Sequence, residues 1–149
     1  CLSPQTAFYN LLGMETLGLR MERACDNAKK LAEFLNTYPD VTVNYPGLSD
    51  SLWHAQAEKV LQNGYGAILT IRVGSKERAF DLINTLTIPK IVSNIGDTKT
   101  LIIHPESTLN AHSTQKEKEE AGVFDDLIRI SVGIEDVEDL IEDFKHALK

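Results

Sequence analysis

Residues 127–140, Leu-Ile-Arg-Ile-Ser-Val-Gly-Ile-Glu-Asp-Val-Glu-Asp-Leu, leave this chain few folds to choose from. Ile128, Ile130, Val132 and Ile134 alternate, which predicts a strand with one buried face, because successive strand side chains point to opposite sides. Gly133 lies in the run as a turn residue. Asp136 and Glu138 then stand at the positive end of a helix whose Val137, Leu140, Ile141, Phe144 and Leu148 fall on one stripe. A half-buried strand leading into an amphipathic helix requires two layers, a sheet with helices against one face. Arg129 and Ser131 point away from the isoleucines. A lone guanidinium there suits a carboxylate or phosphate, since its planar fork donates two parallel hydrogen bonds. An ordinary surface arginine on a solvated strand face fits the same spacing.

Upstream, Ser3 and Pro4 are a helix N-cap and first helical residue. Apolar residues then recur at helical spacing to about Thr37: Phe8, Leu11 and Leu12, later Ala24, Ala28, Leu31, Ala32 and Leu35. Gly13 and Gly18 bracket Met14–Leu17 and predict a kink or break, because glycine weakens a helix interior by about 1 kcal/mol relative to alanine. Strands are expected at 41–45 and 66–74, with a turn at Pro46-Gly47 and a short helix near His54–Leu61 between them. A helix over 76–86 should bury Ala79, Phe80, Ile83 and Leu86. Two short strands, 90–94 and 99–104, flank Gly96-Asp97. Thr114 caps a polar helix ending near Ala121. The sum is a two-layer α/β sandwich, mainly antiparallel, with helices on one face.

The chain is 149 residues long, enough for one domain with a sizeable core. A net charge of -7 argues against a nucleic-acid surface, which needs a basic patch. No apolar run approaches the roughly 20 residues that span a bilayer, and the first residues lack the basic-then-apolar pattern of a secretory leader. Cys1 and Cys25 are too few for a disulfide framework, which points to a reducing cytoplasm. The chain opens on Cys1, in mid-pattern, as a piece of a longer protein would.

Other candidates are weak. His54, His104, His112 and His146 lie on different elements, without the spacing of a zinc site. His104, before Pro105, reads as a structural residue. Gly64-Tyr65-Gly66 precedes a strand, the wrong context for a phosphate loop. Cys25 shares a stripe with Met21, Ala24 and Ala28, as a core residue does. Residues 116–120 read as a solvated charged face, while Tyr9 and Trp53 fit an interface or, more simply, packing.

Several motifs occur in a telling order. They are Ser3-Pro4, Leu12-Gly13-Met14-Glu15-Thr16-Leu17 with Leu19-Arg20, Val43–Leu48, Asn94-Ile95-Gly96-Asp97-Thr98-Lys99-Thr100-Leu101 with His104-Pro105, Ala121-Gly122-Val123 and the Arg129 strand. Together they resemble the C-terminal part of the pyridoxal 5′-phosphate (PLP) enzymes of cysteine and methionine metabolism, the cystathionine γ-synthase-like group. The O-acetylhomoserine sulfhydrylase branch is the most similar.

That resemblance implies the small C-terminal domain of a fold-type-I PLP enzyme. Residues 1–37 would be a helical connector to a large domain, and 38–149 the small α/β domain. Arg129 would bind the substrate α-carboxylate, with Asn94 and Ser93 approaching the same carboxylate; Asn94 fits an Asx turn before Gly96 equally well. The Schiff-base lysine of the family lies upstream of the matched region, and no lysine here has its setting, so this piece alone should be inert. The implied reaction is PLP-dependent replacement of the acetate of O-acetylhomoserine by sulfide or a thiol, giving homocysteine or methionine, in a cytoplasmic homotetramer. Small domains of cystathionine γ-synthase or methionine γ-lyase share most of this frame, and a non-catalytic amino-acid-binding or dimerisation module would keep the arginine too. One departure stands out: relatives often read Pro-Ala-Ser-Thr-Thr-His where this chain has Pro105-Glu106-Ser107-Thr108-Leu109-Asn110.

Overall fold

Four helices begin at side-chain caps. Ser3 Oγ accepts from the Thr6 amide, Ser75 Oγ from that of Arg78, and the Asp136 carboxylate from that of Glu138. Thr114 and Glu117 close a reciprocal capping box. In the computed structural model, which describes residues 1–149, these helices alternate with five strands. In chain order they are α1 (Pro4–Glu15), α2 (Leu17–Leu35), β1 (Thr42–Asn44), α3 (His54–Val60), β2 (Ile68–Arg72), α4 (Lys76–Thr85), β3 (Lys90–Ile91), β4 (Leu101–Ile103), α5 (Gln115–Glu120), β5 (Leu127–Ser131) and α6 (Val137–Ala147). The long N-terminal helix breaks at Thr16, between the two glycines.

The sheet runs β1-β2-β5-β4-β3, antiparallel except for the parallel β3–β4 pair. One face carries Leu69, Ile71, Val73, Ile128, Ile130, Val132 and Ile102. It packs against Ala28, Leu31, Ala32 and Leu35 of α2, Ala79, Leu82 and Ile83 of α4, and Leu140 and Phe144 of α6. The sandwich is therefore mainly antiparallel with its helices on one face, and α2 is part of its core. Apolar burial of this kind stabilises by roughly 25 cal/mol per Å² removed from water. No helix is long and apolar enough to cross a membrane.

Four expected elements differ. The strands expected at 90–94 and 99–104 shrink to Lys90–Ile91 and Leu101–Ile103, leaving Ser93 and Asn94 on an exposed loop. The last strand ends at Ser131, because Gly133 turns beneath a neighbouring backbone. In α4, Leu82 is buried where Phe80 was expected, and Phe80 instead stacks on His104 with ring centroids 4.8 Å apart.

Helix α1 buries nothing: Phe8, Tyr9, Leu11, Leu12 and Met14 are all exposed, as is Leu2 before it. Deleting residues 1–15 is therefore expected to leave the melting temperature of the chain within about 2 °C, as calorimetry would show. A larger drop would mean that α1 supports the sandwich.

Candidate functional site

Strand β5 is bonded on both sides, to β2 and β4, so its side chains are held at a fixed position in the sheet. On the face away from the helices Arg129 lies between Thr70 and Ile103, its register partners. Its Nη2 donates to the carbonyl of Asn94 at 3.3 Å. No carboxylate comes within ion-pair distance of this guanidinium. Arg72, two residues along β2, is different: its Nε donates to Asp126 at 2.8 Å, and its guanidinium sits 4.0 Å over the Phe124 ring. The second Asp126 oxygen accepts from the Gly74 amide at 3.0 Å. Both arginines line a cavity of about 410 Å³ on the open face of the sheet, with Asn44, Thr70, Leu109 and Asn110 among its other walls. The charge of Arg72 is neutralised, while that of Arg129 is not.

The loop carrying Ser93 and Asn94 is laid over this face by the segment from β5 into the turn beyond it. Besides the Arg129–Asn94 contact, the Gly96 amide donates to Ser131 Oγ at 3.2 Å, and the Ile134 amide to the Thr98 carbonyl at 2.9 Å. Ser131 is buried under the loop, so this end of the face is not the solvated surface that alternation alone suggested. Gly96, with φ +75°, makes the bend that a side chain would resist. The Asn94 side chain makes no Asx turn, one of its two readings; that turn is made by Asp97, whose Oδ1 accepts from the Lys99 amide at 3.0 Å. That bond holds the Asp97 carboxyl below its ordinary pKa. The side chains of Ser93 and Asn94 are exposed and unpaired within the chain.

Behind the loop stands a polar brace that periodicity does not signal. Glu135 accepts from the Thr100 amide and hydroxyl, at 2.5 and 2.9 Å, and Thr100 Oγ1 accepts from the Gly133 amide at 3.0 Å. The buried Asn27 of α2 donates to the carbonyls of Gly133 and Glu135 at 3.1 and 2.8 Å. Helix, turn and loop are thereby locked together.

The loop after β4 is fastened by Glu106. Glu106 accepts from Lys76 of α4 at 2.8 Å and from Lys118 of α5 at 2.5 Å. Lys118 is therefore not part of a solvated face: its side chain is 13% exposed. The two ammonium groups, Lys118 first, lower the Glu106 carboxyl from 4.5 to about 2. Because the folded value is depressed, the stabilisation is complete above pH 4.5 and is lost as pH falls towards 2. Acid titration of a Glu106→Gln variant is thus expected to show a shallower loss of stability across that window than the parent chain. Superimposable profiles would refute the linkage.

The remaining candidates are structural. His104 is buried, with Nδ1 2.9 Å from Ser107 Oγ and Nε2 2.6 Å from the Asp125 carbonyl, so both ring nitrogens are engaged. Cys25 is buried beneath Gly64, and burial raises its thiol pKa. In the Gly64-Tyr65-Gly66 segment, Gly66 accepts from the Tyr45 hydroxyl at 2.9 Å, and Tyr65 stacks on His54. No group of histidine, cysteine and carboxylate side chains is placed to hold a metal ion. Tyr9 and Trp53, expected to pack, are instead exposed, because no element covers them within this chain.

Fold and site define a class: a two-layer α/β domain that offers one uncompensated guanidinium, beside an exposed loop, to an anionic ligand. The chain belongs to the Cys/Met metabolism PLP-dependent enzymes, a family whose sequence profile matches residues 1–149. It is 43% identical to an L-methionine gamma-lyase of Fusobacterium nucleatum subsp. polymorphum and 44% to a homocysteine synthase of Schizosaccharomyces pombe. Each match covers 99% of this chain, and 38% and 35% of those proteins respectively. A Campylobacter jejuni protein provisionally assigned as an O-acetylhomoserine (thiol)-lyase superposes with a TM-score of 0.92 at 38% identity, over 99% of this chain and 35% of that one. That structure carries N′-pyridoxyl-lysine-5′-monophosphate. The chain thus spans a little over a third of the length of its relatives.

The family cofactor is PLP. No lysine lines the Arg129 cavity, and Lys76 and Lys118 are committed to Glu106. The cavity therefore presents a free guanidinium but no amine for a covalent hold on the cofactor.

Proposed function

We propose that this chain is the C-terminal small domain of a PLP-dependent O-acetylhomoserine sulfhydrylase, and that Arg129 anchors the substrate α-carboxylate. The observation that carries this reading is a guanidinium on a central strand with no acidic partner, beside the exposed Ser93 and Asn94. Arg129 grips the carboxylate through its fork, and Asn94 and Ser93 supply further donors from the loop. Fixing the carboxylate orients the substrate Cα–H bond, which makes proton removal a positioned step. PLP, when bound, supplies the electron sink for that chemistry. Helix α1, apolar and uncovered, serves as the connector to the large domain, and the whole enzyme works as a cytoplasmic homotetramer.

The test is product analysis of the PLP-loaded enzyme that contains this chain, given O-acetylhomoserine and sulfide. Homocysteine and acetate are expected. A second reading has its own support in the gamma-lyase relative; release of methanethiol from methionine, without homocysteine synthesis, would favour it. The 149-residue chain alone should form no borohydride-stable PLP adduct at a single lysine, as mass spectrometry of the reduced mixture would reveal. A stoichiometric adduct would contradict the upstream placement of the cofactor-anchoring lysine.

A further inference from the structure

The walls of the Arg129 cavity that do not belong to the sheet come from two segments, residues 105–110 after β4 and 121–124 after α5. Both are short of regular structure, and neither contributes to the main apolar core. Glu106 joins them, beside His104, whose ring nitrogens reach Ser107 Oγ and the Asp125 carbonyl. One carboxylate oxygen holds Lys118 on α5, whose C-terminal end opens directly into 121–124, and the other holds Lys76 on α4, which is packed into the core. The chain of contacts runs from core helix to loop to polar helix. Helix α5 buries no residue of its own and has few other ties. Its remaining ion pair, Lys116–Glu120, is internal, exposed and long at 3.8 Å.

Resting on the carboxylate role of Arg129, we propose that Glu106 is a positioning residue for that site, a two-armed clamp that sets the distance between the loop walls and the guanidinium. An uncharged side chain at this position could not make the clamp, because both arms are ion pairs to ammonium groups. Glu106 touches no substrate; it acts through Leu109 and Asn110 on one side and Val123 and Phe124 on the other. Releasing it lets both walls move while leaving the strand that carries Arg129 intact. The consequence falls on ligand capture rather than on the bond-breaking step.

Glu106→Gln, which keeps size and shape but removes the charge, is the deciding variant in the PLP-loaded enzyme. The KM for O-acetylhomoserine is expected to rise about fivefold, with kcat within about twofold, the scale of two partly exposed ion pairs. Salt at about 0.5 M should move the parent enzyme in the same direction, since screening weakens the same contacts. Independently of activity, amide exchange over 105–124 should accelerate while that of β2 and β5 does not. Glu106→Asp should recover part of the KM. If Glu106→Gln does not fold, Lys118→Met, which cuts one arm, gives the same readings. Faster exchange with an unchanged KM would make Glu106 a stabilising residue only and overturn the proposal, as would unchanged exchange. An Arg129→Ala enzyme with unaltered KM would overturn the carboxylate reading, and this inference with it.

Discussion

Arg129→Ala is expected to raise the O-acetylhomoserine concentration needed for half-saturation by about 30- to 140-fold, the equivalent of the 2–3 kcal/mol carried by a charge-assisted hydrogen-bonded contact. The measurement is a substrate titration of the PLP-loaded enzyme, followed through the visible absorbance of its cofactor. The starting spectrum should not change, because no cofactor contact is assigned to Arg129. Stability should hardly change either: within the chain the guanidinium makes one hydrogen bond, to the Asn94 carbonyl. Loss of binding without loss of fold is the signature of an anchor. Arg129→Lys should fall between parent and alanine, since an ammonium keeps the charge but not the planar fork. Identical titrations for parent and alanine enzymes would leave Arg129 a surface residue.

Gly133→Ala should behave in the opposite way, costing roughly 3 kcal/mol of stability or preventing folding altogether. A Cβ at this position would run into the Thr98 carbonyl oxygen, and would lie 2.5 Å from Glu135 Oε2 and 2.6 Å from the Lys99 carbonyl carbon. Two of those atoms are backbone and cannot swing aside. The third accepts from the Thr100 hydroxyl, so moving it dismantles the brace. For a chain of this length the cost corresponds to a fall of about 10 °C in melting temperature. Calorimetry would decide it, and a variant that melts with the parent would show that the loop can retreat. Glycine is required here by close approach, not by an unusual φ.

Much of the architecture could be read from residue order. The caps at Ser3, Thr114 and Asp136 each combine an oxygen-bearing side chain with an adjacent helical pattern, a local signal that tertiary packing did not override. The alternation of Ile128, Ile130 and Val132 placed Arg129 on the opposite face for a purely geometric reason. Phe80 misled because an aromatic residue draws weight: the stripe through Ala79, Ile83 and Leu86 runs through Leu82, and Phe80 sits to one side of it. The site was legible only in part. Arg129 meets Asn94 through a main-chain carbonyl, which every residue possesses and which leaves no trace in sequence. Glu106 finds Lys76 and Lys118 at 30 and 12 residues' separation, where no local periodicity operates. The Asn27–Glu135 contact spans 108 residues, and a mid-helix asparagine gives no hint of it.

The way the loop is fastened has an evolutionary consequence. Along residues 93–96 the chain is tied down through the carbonyl of Asn94 and the amide of Gly96, while the side chains of Ser93, Asn94 and Ile95 take no part. Those three positions can change identity without loosening the scaffold, because the attachment points survive substitution. A lineage can therefore vary the chemistry these side chains present at almost no cost in folding, while Arg129 beneath them stays as it is.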